Sequence, residues 1–177
     1  MGELRSIIEL GNPILRQVAL PILDVTDEKI QALIDDLLVT VKQANGVGIA
    51  APQVAQSCQL MIIASRPNPR YPDAPEMEPT PILNPRILSH STETVKGWEG
   101  CLSVPGIRGW VPRYQAIEIE YCDRNGKLQK MEMTDFVARI FQHEFDHFNG
   151  LVFVDRVESP EDLITEEAYQ QQIQKSE

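Results

Sequence analysis

The stretch "TDFVARIFQHEFDHFNG", Thr134 to Gly150, decides the reading of this chain. Thr134 is an N-cap residue type, and Gly150 stands where a helix-ending glycine belongs, so the spacing predicts a helix between them. Phe136, Val137, Ile140 and Phe141 mark its buried side, together with His143 and His147. Residues four apart share a helix face, so two imidazoles can be aimed at one ion. Glu144 directly follows the first histidine. This is the HExxH arrangement, in which the Glu serves as a base beside the metal without ligating it. The competing reading of so short a pattern is a helix with two ordinary histidines and solvated acids.

The helix closes a strand-rich stretch that begins at Thr80. "AIEIEYCDRNGKLQKMEM", Ala116 to Met133, alternates Ile117, Ile119 and Tyr121, turns near Asn125–Gly126, and returns through Leu128, Met131 and Met133. That pattern predicts a hairpin. "QLMIIAS", Gln59 to Ser65, reads as a short buried strand. "RPNPRYPDAPEMEP", Arg66 to Pro79, carries prolines at 67, 69, 72, 75 and 79, a density no regular element survives, and reads as a surface loop within the domain.

Nearer the start, Asn12 and Pro13 predict a short helix in "GNPILRQVA". Thr26 is expected to cap a longer one, with Ile30, Leu33, Ile34, Leu37 and Val41 at helical spacing and Asn45–Gly46 ending it. Beyond the histidines, "SPEDLITEEAYQQQIQ", Ser159 to Gln174, predicts a third helix capped by Ser159 with Pro160 first. Helices on either side of hairpin-joined, largely antiparallel strands predict an α+β fold in a single domain over residues 1–177.

Composition excludes several functions. The chain of 177 residues has a formal charge of −10, which disfavours a broad electrostatic grip on nucleic acid or an anionic membrane. No apolar run approaches the ~20 residues of a membrane span. "MGELRSIIEL" lacks the apolar core of a secretory signal, and its match to the loose myristoylation pattern through Gly2 and Ser6 reads as chance. Cys58, Cys101 and Cys122 cannot all pair, which fits a reducing compartment.

Two histidines do not complete a catalytic metal site, which normally has three protein ligands and an open position. Where a metzincin would place a third histidine, this chain has Phe153. His90, in "LSHST", reads as an exposed strand end, and Glu161, Glu166 and Glu167 lie in a segment that looks surface-facing. Among the cysteines, Cys101 stands out: "GWEGCLSVPG" surrounds it with glycines that let backbone come close to an ion or substrate. Cys58 and Cys122 read as ordinary small core or edge residues. A Cys/His/His set holds a divalent transition metal and leaves one position free.

"GVGIAAPQ" (Gly46 to Gln53), "EGCLS" (Glu99 to Ser103) and "QHEFDH" (Gln142 to His147) resemble, in order and spacing, the three signature motifs of peptide deformylases. "GNPILR" resembles that family's opening, and "SVPGIRGWVPR" the stretch after its second motif. The resemblance covers roughly residues 5 to 155, and Phe148 departs from the usual leucine. It implies a mostly β fold around a central helix, and removal of the N-formyl group from N-formylmethionyl peptides with release of formate.

It also implies residue roles. Cys101, His143 and His147 would bind the metal, usually Fe2+, with Ni2+, Co2+ or Zn2+ able to substitute. Glu144 would take a proton from the attacking water and return it to the leaving amine. The Gln53 amide and the Leu102 backbone N–H would stabilise the oxyanion; from the residues alone, Gln53 reads as a solvated loop end. Gly46 and Gly48 would let backbone run beside an extended peptide. Val47, Phe136 and Ile140 are candidates for the methionine pocket, with core packing as the alternative. Arg108 and Arg113 are candidates to meet the peptide backbone or a carboxylate, with solvated surface charge the safer reading, and Asp146 either orients a neighbour or faces solvent.

Substrates of this kind would be nascent chains near the ribosome. The tail from Glu158 is acidic, with Lys175 its only basic residue, so docking of that segment on RNA is not expected. A monomer in a bacterial cytoplasm, with no presequence, is the expected setting. A zinc endopeptidase, a structural metal site and an inactive formyl-peptide binder are the competing readings. "EGCLS" argues against the first and Glu144 against the second, and the third is disfavoured because no motif residue is missing.

Overall fold

The computed structural model describes residues 1–176. A short 3-10 turn, Pro13–Arg16, is capped by Asn12, whose side chain accepts from the Ile14 N–H. Helix α1 spans Glu28–Gln43 and ends where Asn45 takes a left-handed conformation, φ 52°. Strands β1 (Gly48–Ala50), β2 (Leu60–Ile63) and β3 (Thr80–His90) follow, then β4 (Thr94–Cys101) and β5 (Val104–Tyr114). The expected hairpin is β6 (Ala116–Cys122) and β7 (Leu128–Thr134), turning at Gly126, φ 82°. Helix α2, Asp135–Phe148, runs directly from β7, and Gly150 at φ 70° ends it in the left-handed region that glycine tolerates.

All strand pairing in the two sheets is antiparallel. One sheet has the order β1-β2-β3-β6-β7, and the other joins β4, β5 and a short β8, Leu163–Thr165. The architecture is α+β. Helix α2 touches β1, β2, β6 and β7 of the larger sheet and β5 of the smaller one.

At β1 and β2 the larger sheet is buried on both faces, which explains the unbroken apolar run in β2. Successive residues of a strand point to opposite faces. Met61 and Ile63 join Ile140 and Phe141 of α2, whereas Leu60 and Ile62 join Leu33, Ile34, Leu37 and Val41 of α1. All four β2 side chains are fully buried, each worth about 1.5–3 kcal/mol. A third, smaller cluster packs Cys101, Val104 and Val111 against Val152 and Phe153.

Three local expectations need correction, and a fourth holds with an addition. Asp27, not Thr26, caps α1: Asp27 accepts from the Lys29 N–H at 2.8 Å, while the Thr26 hydroxyl is held by Asp24 at 2.7 Å. The expected third helix is divided. Ser159 and Pro160 begin only a 3-10 turn ending at Asp162, then β8 pairs with β5, and helix α3, Glu166–Gln174, starts with Thr165 as cap. Leu128 is exposed, because the inward face of β7 carries Gln129, Met131 and Met133. The proline-rich loop has no helix or named strand, yet it is anchored: Ala74 and Asn68 are buried and Tyr71 packs against the main core.

His90 is exposed at the end of β3, stacked on Tyr114. The three cysteines are free. Among the described residues no helix is long and apolar enough to cross a membrane.

Candidate metal centre and substrate pocket

The helical spacing does what the sequence predicts for the histidines. His143 and His147 leave α2 on one side, with ring centroids 5.3 Å apart. Cys101 arrives from the end of β4, where the register with β5 slips between Glu99 and Cys101. One donor atom from each of Cys101, His143 and His147 lies within 4.8 Å of the others. Cys101 Sγ is 3.5 Å from His147 Nε2. A tetrahedral ion with bonds of about 2.3 Å to sulfur and 2.0 Å to nitrogen would separate two such donors by roughly 3.5 Å.

The electrostatics suit a cation. Burial works against protonation of His143, yet its hydrogen bonds to Cys101 and Glu99 hold it well above the usual imidazole range. The position between these groups therefore favours positive charge. His147 is pushed well below that range, first by burial and then by His143, so it stays a neutral lone-pair donor. The donor set and its field fit a divalent transition metal.

Glu99 was not singled out in the sequence, although it begins the second motif. Its Oε1 accepts from His143 Nδ1 at 2.8 Å and from Arg113 Nη2 at 2.9 Å. Its Oε2 accepts from Arg113 Nε at 2.9 Å and Arg139 Nη1 at 2.8 Å. Burial alone would raise the Glu99 pKa, but Arg113 and His143 hold it far below the carboxylate range. An ionised Glu99 can only accept, so His143 carries a proton on Nδ1, which leaves Nε2 as the nitrogen that faces Cys101.

Arg113 is therefore not a surface charge. It is 6% exposed and spans Glu99 and Asp146, bonding Asp146 Oδ2 at 2.7 Å. Asp146 also takes Arg156 and is itself buried, so it orients neighbours rather than facing solvent. Arg108 is likewise fully buried and bonded to Glu166. Each of these three charges, Arg113, Asp146 and Arg108, sits against an opposite one, which is the condition under which such groups leave water.

Glu144 is 4% exposed, and its Oε2 has no hydrogen-bond partner. Burial pushes its pKa up to about 7. The glycine at 48 makes its position possible: a Cβ there would sit 2.7 Å from Glu144 Oε1 and 2.8 Å from Ile140 Cγ2.

Gln53 is 1% exposed, so it is no solvated loop end. A 3-10 turn over Ala51–Val54, closed by Ala55 at φ 63°, turns it inward. Its Oε1 accepts from the Ala50 N–H at 2.9 Å. Its Nε2 donates to Ser103 Oγ at 3.2 Å and approaches Cys101 Sγ at 3.5 Å.

A pocket opens beside this cluster. Of the residues expected at the site, Val47, Gly48, Gln53, Cys101, Leu102, Phe136, Ile140, His143 and Glu144 line it. His147 lies beneath it, fully buried. Gly46 is not part of the lining; it packs behind, where a Cβ would meet Val41 and Leu102. Arg70, Tyr71, Trp98, Glu99 and Arg139 also line the pocket and were not anticipated there. The one sequence signal for Tyr71 is an aromatic residue amid prolines.

Comparison with known proteins agrees with this site. The family model described as "Polypeptide deformylase" matches residues 4–162. A protein of Nostoc sp. named "Peptide deformylase 2" is 67% identical over 98% of this chain and 97% of its own length. A protein of the same name from Shewanella oneidensis is 47% identical over 86% of this chain and 83% of its own. A Met-Ala-Ser-bound crystal structure of a class I type b peptide deformylase from Acinetobacter baumannii superposes with a TM-score of 0.85 and 43% identity, covering 89% of this chain and 100% of that one. The chain belongs to the polypeptide deformylase family and is a hydrolase acting on N-formyl peptides.

Proposed function

We propose that the chain removes the N-formyl group from the formylmethionine of newly made polypeptides and releases formate, using a divalent metal held by Cys101, His143 and His147. The observation that carries this reading is the convergence of those three donor groups within 4.8 Å, beside a pocket also lined by the unpartnered Glu144 carboxylate. Fe2+ is the expected metal, and Ni2+, Co2+ or Zn2+ would suit the same donors. When bound, the metal would supply Lewis-acid polarisation and make water nucleophilic near neutral pH.

The chain's own groups do the rest. Glu144 takes a proton from the attacking water and returns it to the amine that leaves. Gln53 Nε2 and the Leu102 N–H donate to the oxygen that becomes negative on the former formyl carbon. Val47, Phe136 and Ile140 receive the methionine side chain, and the backbone at Gly48 runs beside the peptide, with Gly46 leaving room for Leu102 behind it. The relatives named above are bacterial, which supports action in a bacterial cytoplasm on nascent chains near the ribosome. The chain would act there as one domain over residues 1–177 and as a monomer, without docking through its acidic tail.

The test is formate release from N-formyl-Met-Ala-Ser by anaerobically prepared protein loaded with Fe2+ or Ni2+, beside Glu144→Gln. Turnover is expected in the wild type and none in a metal-replete variant. A wild type holding one metal per chain yet releasing no formate would overturn the reading.

A further inference from the structure

The last helix lies outside the stretch that matches the family model, which ends at residue 162. Yet α3 reaches the pocket wall through one arginine. Arg108, on β5, is fully buried, with its guanidinium carbon 4.6 Å from the Tyr71 ring centroid and 4.3 Å from that of Tyr169. Glu166 of α3 accepts from Arg108 Nε at 2.6 Å and Nη2 at 3.1 Å. The same Nη2 donates to the Arg70 carbonyl at 3.2 Å. Arg108 thus ties α3 to the loop that brings Arg70 and Tyr71 to the pocket.

Tyr71 then contacts the site itself. Its hydroxyl accepts from the Gly100 N–H at 3.1 Å, one residue before Cys101. Its ring packs on Phe136 at 5.3 Å between centroids, and both residues line the pocket. Tyr169 also meets Trp98, another lining residue, edge-on at 6.1 Å. Gly100 admits this arrangement: a Cβ there would lie 2.9 Å from Arg108 Nε.

We propose that α3 is a positioning element for the substrate pocket: Glu166 and Tyr169 hold Arg108, and Arg108 holds Tyr71 and its loop against the wall that receives the first substrate side chain. The proposal rests on the deformylase reading for its substrate but not for its mechanical content. A guanidinium between two rings and a two-point carboxylate is fixed in orientation, and such contacts are worth more when desolvated. Releasing it removes the tie between α3 and this loop and leaves Tyr71 only its contacts with Gly100 and Phe136 at the pocket wall. The chemistry at Glu144 and the metal ligands lies on α2 and β4, so the effect falls on substrate capture.

The experiment uses the full, metal-loaded chain with Tyr169→Ala, Glu166→Gln and Tyr169→Phe, and with the exposed Gln172→Ala as control. Two quantities are read: amide hydrogen exchange over residues 66–79, and KM against kcat for N-formyl-Met-Ala-Ser. Expected for Tyr169→Ala and Glu166→Gln are at least fivefold faster exchange in that loop, unchanged exchange in α2, and a KM raised about five- to tenfold with kcat within twofold. Tyr169→Phe keeps both rings on Arg108 and is expected to match wild type, as is Gln172→Ala. Wild-type loop exchange in both Tyr169→Ala and Glu166→Gln overturns the proposal, as does a loss confined to kcat, or a Tyr169→Phe that behaves like Tyr169→Ala. Absence of formate release in the wild type strikes the deformylase reading alone, and the exchange data then decide the role of α3.

Discussion

His143 donates through Nδ1 to Glu99 Oε1 at 2.8 Å, and the same carboxylate is bound by Arg113 and Arg139. A strand residue two positions before Cys101 thereby sets the orientation of a ring on α2. Groups that orient a ligating histidine typically contribute 10–100-fold to metal affinity. Glu99→Gln should weaken metal binding by about that factor, because a neutral amide polarises Nδ1–H less and leaves two arginines short of charge. Competition with a chelator of known affinity measures it. An affinity equal to wild type would remove Glu99 from the metal site.

The glycine at 48 is a second point at which structure predicts chemistry. An alanine Cβ would meet Glu144 Oε1 at 2.7 Å and Ile140 Cγ2 at 2.8 Å, both nearer than real Cβ contacts come. Glu144 must then move, and displacements near 1 Å can cost about 100-fold in rate. Gly48→Ala is expected to lose at least about tenfold in kcat while keeping its metal. Gly46→Ala, whose Cβ meets side-chain carbons of Val41 and Leu102 at 3.0 and 3.1 Å and the Gly48 carbonyl oxygen at an ordinary 3.4 Å, should lose less. The idea fails if Gly48→Ala turns over like wild type.

The start of the chain carries a pH-sensitive tie. Asp36 on α1 accepts from the Glu3 N–H at 2.6 Å and from Arg5 Nε at 2.7 Å. Burial would raise its pKa, but these two bonds lower it below its ordinary 3.8. A depressed folded-state value means the unfolded chain binds the proton more readily. The stabilisation is therefore fully present above the unfolded pKa and is lost as pH falls through the lower folded value. Asp36→Asn should destabilise by about 2 kcal/mol at pH 7, a charge-assisted bond discounted because Arg5 is 43% exposed. In urea unfolding, the gap between wild type and variant should hold down to about pH 4 and shrink below it. A gap independent of pH between 5 and 3 would refute the assignment.

The expectations that held rest on local periodicity. The α1 stripe, the hairpin through Asn125–Gly126 and the paired histidines are each encoded within a few turns or one strand pair. Cys101 emerged by elimination and then by its motif. The failures share a different cause: the deciding partner is remote. Arg113 reads as solvent-facing until Asp146, 33 residues away, is folded beside it, and Arg108 until Glu166, 58 away, meets it. "SPEDLIT" has good helix-start chemistry, but pairing of Leu163–Thr165 with β5 overrides it. Gln53 looked polar and exposed because nothing near it in sequence announces Ser103 or Cys101 as partners.

That burial of Gln53 gives a last prediction. Its amide is held at both ends, accepting from the Ala50 N–H and donating to Ser103 Oγ, with Cys101 Sγ at 3.5 Å. A donor fixed before substrate arrives pays no reorganisation cost when charge develops on the substrate oxygen, and loss of one such donor typically costs 10²–10³ in kcat. Gln53→Ala should therefore lower kcat about 100-fold with a much smaller change in KM, and the metal should stay because Cys101, His143 and His147 remain. Gln53→Glu should be at least as damaging, since it aims a carboxylate at a developing anion. Ser103→Ala separates the two roles: it removes one acceptor of Nε2 but leaves the amide, and should keep most of the turnover. Steady-state formate release from all three variants decides the matter. A Gln53→Ala enzyme within threefold of wild-type kcat would reduce Gln53 to a brace for the turn that carries it.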